Sequence, residues 1–147
     1  MERIEKDYEE LLKLFGKHRV RYCVVGGYAV AFHSIPRYTK DMDIFVKAAS
    51  ENAERILRAL REFGFSSLKI SKKDFCKPGG IIQLGYEPVR IDLVTSIDGC
   101  DFDGVWERKE VGKYGRTKVY FIGLKDLIRN KEACNRTQDM ADLEALK

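Results

Sequence analysis

The apolar positions in the first third of the chain change from helical to strand-like spacing. Residues 4–17 carry apolar side chains at intervals of three and four, which predicts an amphipathic helix. The apolar run of residues 20–25 stops at Gly26 and Gly27, so it predicts a buried strand that ends in a tight turn. Residues 28–33 then have helical character.

The middle of the chain also contains both strand-like and helical patterns. Residues 41–46 begin with alternating polar and apolar positions and predict a second strand. Ser50 is the expected N-cap of a helix over residues 51–63. Residues 81–86 and 89–94 predict a β-hairpin.

Weaker patterns fill the rest of the chain. They predict an edge strand at 66–70, a loop at 72–80, irregular structure with one helical turn at 97–110, a last strand at 117–122, and closing helices at 124–131 and 137–146. Mixed patterns of this kind predict the α/β (α+β) class, with a small mixed β-sheet flanked by helices. We expect residues 1–147 to form one domain.

Composition and charge exclude few classes of function. The chain has 147 residues, of which 44% are hydrophobic, with no apolar run of membrane-spanning length. The acidic N-terminus does not have the pattern of a signal peptide, so we expect a cytoplasmic protein with no membrane partner. The four cysteines are far apart and are expected to be reduced. A net charge of +4 suits a polyanionic ligand such as a triphosphate, but does not by itself indicate nucleic-acid binding.

Gly26 and Gly27 lie where the first strand should turn into a helix. Glycines there let the backbone approach a ligand, and the first N–H groups of a helix can bind phosphate. A Gly–Gly pair is also common in turns that bind nothing, so this feature is weak alone.

Three aspartates are the strongest chemical signal. Residues two apart in a strand point the same way, so Asp41 and Asp43 should project from one face. Adjacent carboxylates repel unless a cation lies between them, and magnesium with substrate phosphates meets that need. Asp92 interrupts an otherwise apolar strand, where a carboxylate is unfavourable unless it is paired or bound to metal. The alternatives are solvated aspartates at a strand start and on an exposed sheet face.

The order of these features resembles the DNA polymerase beta-like nucleotidyltransferase superfamily. Val25–Gly26–Gly27, a spacer of residues 28–40 and then Asp41–Met42–Asp43 match its apolar–Gly–Gly and Asp-x-Asp pattern. The third carboxylate of that pattern would fall on Asp92.

Two further segments resemble the small stand-alone members of that superfamily. These are the minimal, abortive-infection-type and lincosamide-type nucleotidyltransferases. Residues 37–41 are similar to their Arg-x-Thr-x-Asp segment, and residues 123–128 with 131–146 are similar to their closing helices.

The resemblance implies a reaction and a set of binding residues. A nucleoside monophosphate would pass from a nucleoside triphosphate, with ATP the expected one, to an acceptor, with pyrophosphate leaving. Asp41 and Asp43 would bridge two Mg²⁺ (or Mn²⁺) ions, and Asp92 would bind the ion nearer the acceptor. The expected nucleotide-binding residues are Gly26, Gly27, Arg37, Thr39, Lys125 and Lys131. For the basic residues, a solvated or salt-bridged role is the alternative.

The acceptor and the partners stay open at this stage. A small molecule, an RNA end and a protein hydroxyl are all possible acceptors, and the segment with Asp98, Asp101, Asp103 and Trp106 is the expected place for a cationic one. A non-catalytic triphosphate-binding or antitoxin-like module with a partner protein, and a homo-oligomer, are alternatives. Nucleic-acid binding is possible but not indicated, because residues 69–75 form only a short basic patch.

Overall fold

The computed structural model describes residues 4–34, 39–65, 69–86 and 89–147. Its helices are α1 (Lys6–Lys17), α2 (Gly26–His33), α3 (Ser50–Phe63), α4 (Phe102–Glu107), α5 (Leu124–Cys134) and α6 (Thr137–Leu146), with a short 3-10 helix at Lys72–Phe75. Its strands are β1 (Tyr22–Val25), β2 (Met42–Val46), β3 (Ile81–Tyr86), β4 (Val89–Val94), β5 (Glu110–Tyr114) and β6 (Thr117–Phe121).

The strands form one mixed sheet in the order β3-β4-β2-β1-β6-β5. The β2–β4 and β1–β6 pairs are parallel, and the β1–β2, β3–β4 and β5–β6 pairs are antiparallel. This arrangement confirms the predicted fold class, a small mixed sheet flanked by helices.

The two faces of the central strands pack against different helices. Tyr22 of β1 packs on Phe15 of α1, with ring centroids 5.6 Å apart. The next position, Cys23, pairs with Phe45 of β2, and the Phe45 ring packs on Phe102 of α4 at 5.0 Å. Because successive side chains alternate between faces, Asp43 shares the face of Phe45.

Several predicted elements differ from the structure. Residues 97–110 contain α4 and the start of β5, which the sequence analysis did not predict as a strand. Residues 69 and 70 are not in a strand, while 66–68 lie outside the described residues. Ser50 is the first helical residue, and Ala49 holds the N-cap position. Within the described residues, no helix has the length and apolar character that a membrane span requires.

Candidate active site

The turn from β1 into α2 lies directly against Asp43. Val25 is the Cα partner of Asp43 in the β1–β2 ladder, and α2 begins at the next residue, Gly26. Gly26 has a φ of +67°, and a Cβ added to it would lie 2.5 Å from Oδ2 of Asp43. Only glycine combines this backbone conformation with so close an approach. Gly27 follows as a buried helical residue.

The three aspartates come together on neighbouring strands. Asp43 of β2 and Asp92 of β4 are Cα partners in a parallel ladder, so their side chains project from the same face. Asp41 lies two residues before Asp43, just outside β2. Asp92 is 8% exposed, which makes it one of the buried polar residues of the sheet.

Arg90 is a site residue that the sequence analysis did not identify. Its Nε lies 3.2 Å from Oδ1 of Asp92, and its Nη2 lies 3.0 Å from Oδ2 of Asp92. The same Nη2 is 3.1 Å from Oδ2 of Asp41. The available signal was the spacing, because Arg90 lies two residues before Asp92 and shares its face of β4.

The carboxyl of Asp43 ionises at a higher pH than that of a free aspartate. Burial, followed by the charges of Asp92 and Asp41, raises its pKa to about 6. Lys131 and Arg90 act in the opposite direction and lower it. The site therefore concentrates negative charge on carboxylates that are partly or fully buried.

Lys131 reaches this region from a buried network between α5 and α6. It is 4% exposed, and its Nζ lies 3.1 Å from Oδ1 of Asp139 and 3.2 Å from Oδ2 of Asp142. Arg136 also binds Asp139, with Nε 2.7 Å from Oδ2. Both acidic residues are buried, so the network is part of the protein interior.

The other predicted nucleotide-binding residues are less closely tied to the aspartates. Thr39 donates a long hydrogen bond of 3.4 Å from Oγ1 to the backbone carbonyl of Asp41. Lys125 is exposed at the start of α5, and its side chain has no hydrogen bond or ion pair with another described residue. Arg37 lies outside the described residues.

The side chains of residues 98–106, the expected place for a cationic acceptor, do not form one site. Asp98 is held near α5, where its carbonyl accepts a hydrogen bond of 2.9 Å from Nδ2 of Asn130. The face of Trp106 is covered by Lys109, whose Nζ lies 3.9 Å from the ring centroid. Asp101 and Asp103 line a cavity beside β2 and β4.

The donor set fits a divalent cation, but the ligands are not preassembled around one point. Oxygen ligands from carboxylates are those that Mg²⁺ prefers, and the pKa of Asp43 is raised first by burial and then by the charges of Asp92 and Asp41. Over the described ranges, no three acidic, histidine or cysteine side chains are arranged as ligands of one ion. Instead, the guanidinium of Arg90 is paired with both Asp41 and Asp92.

Three solved structures share this fold. The lincosamide antibiotic adenylyltransferase LnuA, in its lincomycin-bound form, is 16% identical over 97% of this chain and 95% of its own, with a TM-score of 0.58. A proposed nucleotidyltransferase from Thermotoga maritima is 16% identical over 97% and 93%, with a TM-score of 0.63. An antigenic nucleotidyltransferase-like protein from Paracoccidioides brasiliensis is 12% identical over 97% and 76%, with a TM-score of 0.55.

The sequence itself matches a family. No curated protein matches it, but the family profile described as "Nucleotidyl transferase of unknown function (DUF2204)" matches residues 4–147. This match covers nearly the whole chain and confirms the resemblance found from the glycine turn and the aspartates. The protein therefore belongs to the DUF2204 family of nucleotidyl transferases.

Proposed function

We propose that this protein transfers a nucleoside monophosphate, with ATP as the first candidate donor, to an acceptor hydroxyl in a reaction that depends on Mg²⁺ or Mn²⁺. The observation that carries the proposal is the register of Asp43 and Asp92 on adjacent parallel strands, directly beside the Gly26 turn. The adenylyltransferase activity in the name of LnuA supports ATP as the donor. Residues 1–147 would act as one domain.

The roles of the residues follow from their positions. Asp41, Asp43 and Asp92 would hold the metal, which when bound supplies charge neutralisation and Lewis-acid polarisation of the phosphate oxygens. The N–H groups at the start of α2, from Gly26 and Gly27, would bind the triphosphate. Asp92 would also accept the proton of the attacking hydroxyl, because a carboxylate beside the reacting oxygen can act as a general base.

Basic residues would balance the charge of the triphosphate. Lys131 is the strongest described candidate, since its charge already acts on Asp43. Thr39, Lys125 and Arg37 remain proposed nucleotide-binding residues. An exposed lysine such as Lys125 contributes little until a phosphate binds close to it.

The first experiment measures thermal unfolding with ATP and Mg²⁺, separately and together. A ligand that binds only the native state at about 100 times its Kd adds about 2.7 kcal/mol, which corresponds to a rise in Tm of about 5 °C or more. We expect this rise in Tm only when ATP and Mg²⁺ are present together. Asp43→Ala should abolish it, whereas Asp7→Asn, a change at an exposed position of α1, should not. An equal rise with ATP alone would count against metal dependence.

A second candidate function is triphosphate binding without transfer, as in an antitoxin-like partner module. The observation that favours it is the ion pairing of Arg90 with both Asp41 and Asp92, which a catalytic metal would have to disrupt. The two functions are separated by incubating the protein with ATP radiolabelled at the α-phosphate and a cell extract. Binding of ATP without labelling of any molecule would support the second function.

A further inference from the structure

A cavity of about 350 Å³ opens at the C-terminal ends of β2 and β4. One wall is formed by Phe45 of β2 and by Lys47, which follows the strand. The others include Ser96, which lies after β4, and Phe102 and Asp103 of α4. The volume is at the lower end of the range for small-molecule sites.

The cavity is on the same sheet face as the aspartates. Side chains alternate along a strand, so Asp43 and Phe45 share one face of β2, and Lys47 follows directly after the strand. The parallel register continues from Asp43–Asp92 to Phe45–Val94, which keeps the two strands side by side up to the cavity. With a rise of about 3.3 Å per residue, Phe45 lies about 7 Å along the strand from Asp43.

The phosphate-binding turn is at the other end of β2. Because β1 and β2 are antiparallel and Val25 pairs with Asp43, the start of α2 lies beside the N-terminal part of β2. Along β2, Asp43 and its ladder partner Asp92 therefore lie between the Gly26 turn and the cavity, whereas Asp41 lies before the strand. In an in-line displacement the attacking oxygen enters opposite the leaving pyrophosphate. A triphosphate held at Gly26 directs the acceptor toward the cavity.

The chemistry of the walls restricts what can bind. The rings of Phe45 and Phe102, with centroids 5.0 Å apart, form an apolar side. Lys47 and Asp103 are paired at 3.0 Å across the opening, and Asp101 adds a second carboxylate. Lys47 is already paired with Asp103, so its ammonium offers little uncompensated positive charge to a polyanion such as an RNA end.

We propose that this cavity binds the acceptor, and that the acceptor is a small neutral or cationic compound that carries a hydroxyl group and an apolar part. This inference rests on the proposed transferase function and adds to it a substrate class. The hydroxyl oxygen attacks the α-phosphorus, the bond from that phosphorus to the bridging oxygen of pyrophosphate breaks, and the hydroxyl proton passes to Asp92.

The test uses the full chain, ATP radiolabelled at the α-phosphate, Mg²⁺ and a bacterial extract separated into small-molecule, RNA and protein fractions. Ala48→Trp would fill the cavity from its wall, and Asp103→Lys would reverse its charge at an exposed position. Glu107→Lys, at the exposed end of α4, is the matched control.

We expect a new labelled compound, distinct from ATP, ADP and AMP, in the small-molecule fraction only. Ala48→Trp should lower this transfer by about tenfold or more, since small displacements of a substrate have effects of that size. Asp103→Lys should raise the KM for cationic acceptors, and both variants should keep the full Tm rise with ATP and Mg²⁺. That rise also shows that each variant is folded. Glu107→Lys should behave as wild type.

Other outcomes would overturn the inference. Label on RNA or protein, or unchanged transfer in both cavity variants, would each do so. A wild-type protein that binds ATP but labels no fraction, or that shows no Tm rise with ATP and Mg²⁺, would instead refute the proposed function itself, so the two failures are distinguishable.

Discussion

Arg90 holds Asp92 through a two-pronged contact, with Nε 3.2 Å from Oδ1 and Nη2 3.0 Å from Oδ2. Its Nη2 also lies 3.1 Å from Asp41, so one guanidinium neutralises part of the charge of two carboxylates. Planar, bidentate contacts of this kind are among the stronger hydrogen bonds in proteins. A divalent cation that binds Asp41 or Asp92 must therefore compete with Arg90.

We predict that Arg90→Gln binds Mn²⁺ more tightly than wild type. Removal of the guanidinium takes away the cation that competes for Asp41 and Asp92, so the negative potential of the three aspartates becomes stronger. We expect the Kd for Mn²⁺ to fall by about threefold. The same change should lower Tm in the absence of metal, because the carboxylates then repel each other. Mn²⁺ affinity can be measured by electron paramagnetic resonance titration, and Tm by circular dichroism.

The control for this prediction is Arg61→Gln, which removes a positive charge from the exposed end of α3. Arg61→Gln should change neither the Mn²⁺ affinity nor the Tm. Weaker Mn²⁺ binding by Arg90→Gln would show that Arg90 supports the metal site through the orientation of Asp92.

The stability of the protein should depend on the ionisation of Asp43. Its pKa is raised from 3.8 to about 6, first by burial and then by Asp92 and Asp41. A folded-state pKa above the unfolded value means that the folded protein holds this proton more tightly. The resulting stability is fully present below the unfolded pKa and is lost as the pH rises through about 6.

We therefore predict that wild type loses about 1 kcal/mol of unfolding free energy from this group between about pH 5 and pH 7.5. The Asp43→Asn variant has no ionisable group at this position. The difference in unfolding free energy between this variant and wild type should therefore change by about 1 kcal/mol between the two pH values. Urea unfolding at the two pH values measures it. A difference that is constant with pH would contradict the raised pKa.

Part of this site could be predicted from the sequence because it depends on local spacing. Glycine at a strand end predicts a tight turn, and the two-residue period places Asp41 and Asp43 on one face. Asp92 was identified as a polar residue in an apolar strand. Its pairing with Asp43 depends on strand register, which the spacing of a single sequence does not determine.

Two features depended on contacts that are distant in sequence. Lys131 is on α5 while Asp139 and Asp142 are on α6, so no helical spacing links them, and the packing of α5 against α6 brings them together and buries them. Strand β5 lies at the edge of the sheet with Val111 58% exposed, so its sequence lacks a clear buried face. Its pairing with β6 outweighs this weak local signal.

The close approach of Gly26 to Asp43 predicts a strong effect of a single methyl group. Gly26→Ala would combine a φ of +67° with a contact of 2.5 Å to Oδ2 of Asp43. We expect a loss of about 1–3 kcal/mol in unfolding free energy. The Tm rise with ATP and Mg²⁺ should also be lost, because Asp43 and the first N–H groups of α2 are displaced.

The matched control for that substitution is Gly16→Ala. Gly16 lies within α1, and a Cβ added there would meet nothing within 4 Å. Alanine in an open helical position should stabilise the protein by about 0.5–1 kcal/mol and leave ATP binding intact. If both variants lost the same stability, the special role of the Gly26 turn would be wrong.

The buried network around Lys131 gives the last prediction. Lys131→Met would remove the ammonium that lies 3.1 Å from Asp139 and 3.2 Å from Asp142, and both carboxylates are almost fully buried. Breaking a buried ion pair from one side typically destabilises by about 3–5 kcal/mol, and Arg136 should offset part of this at Asp139. We therefore expect a loss of about 3 kcal/mol, measured by urea unfolding.

Lys125→Met serves as the control, since Lys125 is exposed and such surface changes stay within about 0.5 kcal/mol. A double-mutant cycle with Asp142→Asn should show a coupling of about 1 kcal/mol or more between Lys131 and Asp142. Because Lys131 also lowers the pKa of Asp43, its removal should raise that pKa further. Additive effects in the cycle, together with a small stability loss, would show that the network contributes little to the fold and would leave phosphate binding as the role of Lys131.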